Sequence, residues 1–416
     1  MKKSLTQLMT GLSVVGTGCI PGMAQADFFK DSSATLDMKN YYFNRDYREE
    51  STQSKREEWA QGFTLDVKSG FTEGVVGFGV DTVGMLGIKL DSSPDRSGTG
   101  LLNRGSDKRA YDDYSKLGVT GKARLAKSEL RLGYLVPNLP TLQPNTSRLF
   151  PQSFNGAQLI SSDIKDLTVS LGQLDQFKER DSTDYEDMRL TAQNKAYKSA
   201  TSDQFRYAGG DYKLTPNTVV SYHYAQLENL YGQQYVGLKN SFGLGAGTVK
   251  TDVRYFDADK DGSGLAGKVD NRALSTRLTW NWNGHSIGGG YQKQMGSTPF
   301  TYVDGAVTYL FTEYQLGNFS QTNERAWHAR YDYDFAALGV PGLLFSTRYA
   351  KGDQAEIIGF AGEGREWERD LDISYAVQSG PLKGVSVRWR NAQNNGNYYN
   401  DTNENRLILG YTLALW

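Results

Sequence analysis

The sequence predicts an all-β fold, a transmembrane antiparallel β-barrel of about 18 strands with inward-folded loops. Three observations carry this. Beyond residue 26 the chain alternates apolar and polar residues with period two in segment after segment, with almost no helical periodicity. The polar phase holds charges at mid-strand, where a dry core admits none. The apolar phase ends in Trp and Tyr, as an aromatic girdle at a membrane interface does.

The alternation is legible element by element. In "LDMKNYYF", Leu36, Met38 and Tyr42 share a face; in "WAQGFTLDVK" the apolar face is Trp59, Phe63, Leu65 and Val67. "ELRLGYL" sets Leu130, Leu132 and Tyr134 against Glu129, Arg131 and Gly133, and "KTDVRYF" sets Val253 and Tyr255 against Lys250, Asp252 and Arg254. "LSTRLTWNW" and "AWHARYDYDF" place Arg277 and then His328, Arg330 and Asp332 opposite their Trp and Tyr residues. "LLFSTRYA" does the same with Ser346 and Arg348 against Phe345 and Tyr349, and "GVSVRWRN" with Arg388 and Arg390 against Val385, Val387 and Trp389. The last strand, "NRLILGYTLALW", alternates to its end, although strict parity puts Trp416 in the lumen phase. These runs match the 9–11 or so residues of a tilted membrane-crossing strand.

Composition fits a chain whose strands are half apolar and half wet: 38% hydrophobic residues with 46 Gly, 26 Tyr and 18 Phe. A large soluble sandwich or propeller fits composition alone nearly as well. The formal charge of −1 argues against nucleic acid as a partner. The N-terminus decides the compartment. Met1-Lys2-Lys3, the apolar run Leu8–Ile20 and Ala24-Gln25-Ala26 read as a secretory signal over residues 1–26, leaving 27–416 as one barrel domain. The single cysteine, Cys19, falls inside the signal and lacks the leucine of a lipidation motif three places before it.

Connections alternate in length, as in bacterial outer-membrane barrels. Short turns are expected at 68–74, 125–128, 213–218, 281–284, 337–342 and 378–384. Long loops are expected at 44–57, 91–113, 137–155, 175–202, 257–270, 294–324, 352–366 and 391–404. Two of these look able to narrow a lumen. The stretch 136–156 holds four of the ten prolines, which stiffens it for a place inside the barrel or as a surface lid. The stretch 294–324 is unusually aromatic, reads as a tucked loop or an extra hairpin, and offers Asp304 opposite the basic wall.

The lumen-phase cations are Arg131, Arg206, Lys250, Arg254, Arg277, Arg330, Arg348, Arg388 and Arg390. Each has two readings, a cross-strand ion pair with an acid such as Asp252 or Asp332, or a member of a column that attracts anions and offers carboxylates two-pronged hydrogen bonds. "DADKDGSG" (257–264) mimics a calcium loop but has Lys268 where the closing Glu belongs. His223, His285 and His328 sit on separate strands without metal spacing, so no metal and no cofactor is expected.

The segments "NYYFNRDYR" (40–48), "SRLFPQSFNG" (147–156), "WERDLDISYAVQSGPLKGVSVRWR" (367–390) and "NENRLILGY" (403–411) resemble the OprD-type outer-membrane porins, the outer-membrane carboxylate channels. The resemblance runs from the signal to the last strand. It implies an 18-stranded barrel, monomeric or loosely associated, narrowed by its third and seventh extracellular loops, with a basic ladder guiding carboxylate-bearing solutes. "SRLFP" then puts Arg148, Leu149 and Pro151 in the constriction. "TRYAKG" and "VRWR" put Arg348, Lys351, Arg388 and Arg390 on the ladder. The family would add Arg369 of "WERD", whose parity points outward here.

The expectation is therefore a passive channel of a Gram-negative outer membrane for small carboxylate-bearing nutrients, with outer-membrane lipids and the barrel-insertion machinery as its other partners. The lumen-phase acids read as few beside the bases. A preference for basic amino acids and peptides stays open. A barrel phospholipase or protease would need a Ser/His or Asp/His constellation at the lipid rim, and a third reading is a plugged structural or adhesive barrel.

Overall fold

The computed structural model describes residues 28–48, 53–191 and 195–416. The expected export signal lies outside the described residues. The chain opens with β1 (Ser33–Tyr47), β2 (Lys55–Lys68), β3 (Val76–Asp91), β4 (Asp113–Leu125) and β5 (Ser128–Leu135). It continues with β6 (Ser153–Ser161), β7 (Leu167–Lys178), the two-residue β8 (Met188–Arg189) and β9 (Thr201–Ser202), then β10 (Phe205–Thr215) and β11 (Thr218–Leu227). Then come β12 (Tyr231–Leu244), β13 (Gly247–Lys260), β14 (Asp270–Trp282), β15 (His285–Gly296) and β16 (Arg325–Asp334). The last four are β17 (Leu343–Ala355), β18 (Gly364–Ala376), β19 (Ser386–Gly396) and β20 (Thr402–Ala414).

β8 and β9 pair only with each other, and the remaining strands form one 18-stranded antiparallel sheet. That sheet closes on itself. β1 pairs with both β2 and β20, so Tyr41 has Ala60 and Ile408 as register partners. Closure leaves no unpaired strand edge, which is what lets a sheet sit in hydrocarbon.

Burial is inverted relative to a soluble protein. On β4, Leu117 is 70% exposed and Val119 is 49% exposed, while Lys116 between them and Tyr114 is 4% exposed. The apolar phase faces outward and the polar phase faces a filled lumen, which only a lipid surround makes favourable.

The expected short turns all occur, and the described turn set also includes 162–166 and 245–246. On the other rim the long connections are 92–112, 136–152, 179–204 and 297–324. The expected long loops at 257–270, 352–366 and 391–404 shrink to 261–269, 356–363 and 397–401 because the strands run further, and one expected nowhere, 228–230, is only three residues long. No strand lies in 297–324, so the hairpin alternative for that segment falls away. Trp416 lies past the end of β20. Its indole donates to Ser32 Oγ (3.1 Å) and its carbonyl accepts from Ala34 N (3.2 Å), fastening the C-terminus at the barrel seam.

One residue departs from simple parity for a visible reason. Gly133 has φ +109°, a conformation that a Cβ there, 2.4 Å from the Val119 carbonyl oxygen, would not permit. The phase slips at this point. Tyr134, expected to face lipid with Leu132, lies instead against Gly118 and lines a lumenal cavity with Arg131.

Candidate functional site

Loop 136–152 is drawn into the lumen by the wall of β1 and β4. Lys39 Nζ donates to the carbonyls of Arg148 (3.4 Å) and Leu149 (3.2 Å), and Tyr41 Oη donates to that of Ser147 (3.1 Å). Lys116 Nζ reaches the carbonyls of Pro151 (3.2 Å) and Glu179 (2.6 Å). Leu149 and Phe150 complete the seating in an apolar cluster with Tyr41, Phe43, Ala60, Leu101 and Tyr114. Arg148 is itself buried, its Nε donating to the Thr99 carbonyl (2.7 Å) and its guanidinium lying 4.8 Å from the Phe43 ring centre. Burial, with Arg406 and Arg180 nearby, pushes Arg148 down to about 9.

Loop 297–324 is held by the stretch of wall from β13 round to β20, through three arginines and a carboxylate. Arg254 Nη1 donates to the Tyr309 carbonyl (2.7 Å), Arg348 Nη1 to that of Thr312 (2.6 Å), and Arg406 Nη2 to that of Gln315 (3.1 Å). Glu368 accepts from the backbone N–H groups of Gln315 (3.3 Å), Leu316 (3.3 Å) and Gly317 (2.5 Å). The Tyr314 ring is the hub of this contact, with the guanidiniums of Arg330, Arg348 and Arg390 at 5.1, 4.8 and 5.0 Å.

The two loops also join each other. Val307 N donates to the Gln143 carbonyl (2.9 Å), and Gln152 Nε2 to the Asp304 carbonyl (2.9 Å). The Asp304 carboxylate does not face the basic wall. It pairs with Arg189 of loop 179–204 at 2.8 Å and so ties the three inward loops together. On this side the lumen is packed, with Leu139, Leu142, Leu190, Val303 and Ala306 in one cluster with Phe154, Phe205 and Tyr231 of the wall. Water space remains on the other side. A cavity of about 240 Å³ is lined by Arg254, Arg277, Glu313, Tyr314, His328, Arg330 and Arg348. Towards the turn end a second, of about 560 Å³, is lined by Tyr314, Arg330, Asp332, Asp372, Ser374 and Arg388. Tyr314 and Arg330 border both.

The sequence-predicted cations divide by what they pair with. Arg348, its side chain 2% exposed, lies between Glu368 (3.2 Å) and Asp370 (2.9 Å) and is neutralised. Arg330 pairs with Asp332 at 2.8 Å and keeps 32% of its side chain exposed. Three carboxylates are each shared by two arginines. Asp252 serves Arg254 (3.0 Å) and Arg277 (3.9 Å), Asp372 serves Arg388 (2.5 Å) and Arg390 (3.0 Å), and Glu404 serves Arg45 (2.6 Å) and Arg406 (2.5 Å). Of these, Arg277 and Arg388 stay 40% and 46% exposed. Lys250 lies in the lumen phase at the turn end of β13, exposed, in register with Thr279 and Ser241. Arg131 faces a separate cavity beneath Pro151 and pairs with Glu129.

Two predicted ladder members are not in the lumen. Arg206 alternates with the buried Phe205 and Tyr207 and so points outward, half-exposed, bonded to Gln173 and paired with Glu228 (3.7 Å). Lys351 lies between the buried Ala350 and lumen-facing Gly352, in register with Trp327 and Trp367, and also faces out. Arg369 takes the outward position that its parity gave, donating to Asn391 (2.9 Å).

Sequence reading passed over four features. Arg406, Lys39 and Lys116 obey the same lumen parity as the others and were open to discovery by it. The fourth is an acidic column on one strand, Glu366, Glu368, Asp370 and Asp372, which corrects the expectation that lumen acids are few. All four are buried, and of the column Asp372 is the one that borders a cavity among those described. Glu313, in loop 297–324, is the carboxyl that faces the arginines. Burial pushes it up to about 7, against hydrogen bonds from Thr308.

A family model described as outer membrane porin, OprD family, matches residues 26–415. The porin-like protein GalP of Pseudomonas putida is 37% identical over 401 residues, covering 95% of each chain. Among solved structures, OccK9 (OpdG) of Pseudomonas aeruginosa superposes with a TM-score of 0.90 at 44% identity, covering 93% of this chain and all of that one. OpdK of the same organism, determined with vanillate, superposes with a TM-score of 0.88 at 36% identity, over 94% of this chain and 100% of its own.

Proposed function

Given that the chain belongs to the OprD family of outer-membrane porins, channels rather than enzymes, we propose that it passes small carboxylate-bearing solutes, guided by Arg277, Arg330 and Arg388. The observation that carries this reading is the sharing of Asp252 and Asp372 by two arginines each, which leaves positive charge uncompensated where the cavities hold water. Low-dielectric walls focus that charge and raise the local anion concentration. A solute carboxylate displaces part of each shared bond and passes to the next guanidinium, several weak sites in series permitting exit as well as entry.

The buried ladder members have a different part. Arg254, Arg348, Arg390 and Arg406 set the shape of the constriction by holding loop 297–324, while Arg148, Leu149 and Pro151 set its other side. The vanillate in OpdK, an aromatic carboxylate, supports the same solute class here. Basic amino acids and peptides would use the acids instead, and Asp332 and Asp372 do border the larger cavity, but each is already bonded to arginine.

The test is a planar-bilayer recording with benzoate and its uncharged analogue benzamide at equal millimolar concentration. Interruption of the steady current by benzoate and not by benzamide is expected. Equal effects of the two, or interruption by free arginine alone, would overturn the carboxylate reading.

A further inference from the structure

Lys351, a cation placed outside the barrel, stands at the centre of a surface that solute passage does not use. On β17 it lies four residues from the loop end, with Trp327 of β16 and Trp367 of β18 as its register partners. One rung nearer the membrane centre is Tyr349, whose ring is 5.5 Å from that of Trp327 and 5.9 Å from that of Trp367, stacked on the latter. Three aromatics therefore form a continuous row across three strands at the loop-side border of the apolar band, with Thr347, Leu371 and Ile373 beneath it.

The charges along this row are unbalanced. Lys351 is exposed and, among the described residues, has neither an ion pair nor a hydrogen bond. Arg369, in register with Tyr349, makes one hydrogen bond, to the Asn391 amide oxygen, and its Nε is buried without a partner. Lys293 is bonded to the Asn323 carbonyl (2.6 Å) and no acid. The nearby acids are occupied elsewhere: Asp353 by Arg325 (2.5 Å), Glu363 by Arg365 (3.2 Å), and Glu356 by the Asn323 amide (2.7 Å).

A cation on the lipid face is costly in hydrocarbon and tolerable only where it reaches the headgroups. Aromatic rings of an interfacial belt mark that level. We propose that the outer face of β15–β18 docks a phosphorylated lipid of the outer leaflet. Its phosphate bonds to Lys351 and Arg369, and its acyl chains descend past the Trp327–Tyr349–Trp367 row over Thr347, Leu371 and Ile373. The guanidinium matches a phosphate edge with two donors, and the ammonium adds a point charge. This docking rests on the outer-membrane setting and is independent of which solute passes through the lumen.

The experiment is native mass spectrometry of the intact barrel in detergent, titrated with bis-phosphorylated lipid A and with the same lipid after enzymatic dephosphorylation. The wild type is expected to retain the phosphorylated form preferentially. With each interfacial cation worth about fivefold in affinity for an anionic headgroup, Lys351→Ala/Arg369→Ala should weaken retention about 25-fold. Lys165→Ala, which removes one charge as Lys351→Ala alone does but in the exposed turn 162–166 at the opposite rim, should leave it unchanged. If the double variant does not fold, Lys351→Ala alone, at an exposed side chain, should lose about fivefold and Lys351→Arg should restore it. Equal retention of the two lipids, or undiminished retention by the variants, overturns the proposal. So does a dimer that the variants dissociate without any change in lipid retention, since the face would then be an interface between copies.

Discussion

Arg330 and Arg348 stand directly opposite each other across β16 and β17, two like charges in register. Such a pair destabilises a sheet unless each charge is drawn off. Here Arg348 turns to Glu368 and Asp370 and grips the Thr312 carbonyl, while Arg330 turns to Asp332 and remains in water. Neighbouring arginines of the same wall are thus divided between shaping the pore and facing its contents.

Removing each should therefore have a different result. Arg348→Ala leaves two buried carboxylates without their cation, a loss of ~3–5 kcal/mol in comparable buried pairs. Loop 297–324 should loosen, giving unsteady single-channel currents and faster proteolytic cleavage within the loop. Arg330→Ala should leave the current steady and lower only the preference for anions. Identical behaviour of the two variants in bilayer recordings would refute this division.

Tyr314 borders both cavities and lies about 5 Å from three guanidiniums. Its ring, with Arg330, stands at the border the two cavities share. Tyr314→Ala should raise single-channel conductance and shorten carboxylate-induced interruptions, because the cation–π contacts that hold the arginines to the loop are lost. A conductance at or below the wild-type level would count against Tyr314 as the narrowing element.

Anion preference should depend on pH through Glu313. Its carboxyl is pushed up to about 7 chiefly by burial, so the folded loop binds its proton more tightly than the unfolded chain does. The stabilisation from that protonation is complete below the usual carboxylate range and lost as pH rises through about 7. Below pH 7 the neutral Glu313 carboxyl adds no charge to the cavity it lines with Arg254, Arg277, Arg330 and Arg348, and above it one negative charge joins them. Reversal potentials in a salt gradient should show stronger anion preference at pH 6 than at pH 8. Glu179, buried in loop 179–204 and likewise raised to about 7, titrates in the same range. Glu313→Gln separates the two by holding the low-pH preference at both values. A pH response unchanged in Glu313→Gln would assign it to another group.

The outward cations make a negative prediction. Arg206→Ala and Lys351→Ala should leave conductance and selectivity at wild-type values, because neither side chain reaches the lumen. A selectivity shift in either would mean that its strand is phased differently.

How far the sequence was legible follows from the period of two. Parity alone oriented most strands, and it placed Arg369 outward against the family expectation. Parity was also sufficient to exclude Lys351, which is an odd number of residues from Arg348 on an unbroken strand; its place on the ladder came from the resemblance. Gly133 defeats parity, because a positive φ shifts the phase and nothing in "ELRLGYL" announces it. Two of the three inward loops were visible in their prolines and aromatics, whereas 179–204 read only as a long polar loop. The pairing of charges was not, since it depends on the register of neighbouring strands. Asp372 reaches both Arg388 and Arg390 only because β18 and β19 align Asp372 with Arg390.

The most direct measurement is the reversal potential of single channels in a potassium chloride gradient, for the wild type and for Arg277→Ala/Arg330→Ala/Arg388→Ala. If these exposed guanidiniums govern passage, the wild type will be anion-selective and the triple variant will approach the free-solution ratio with its conductance steady. A cation-selective wild type, or a variant as anion-selective as its parent, would contradict guidance by these three residues.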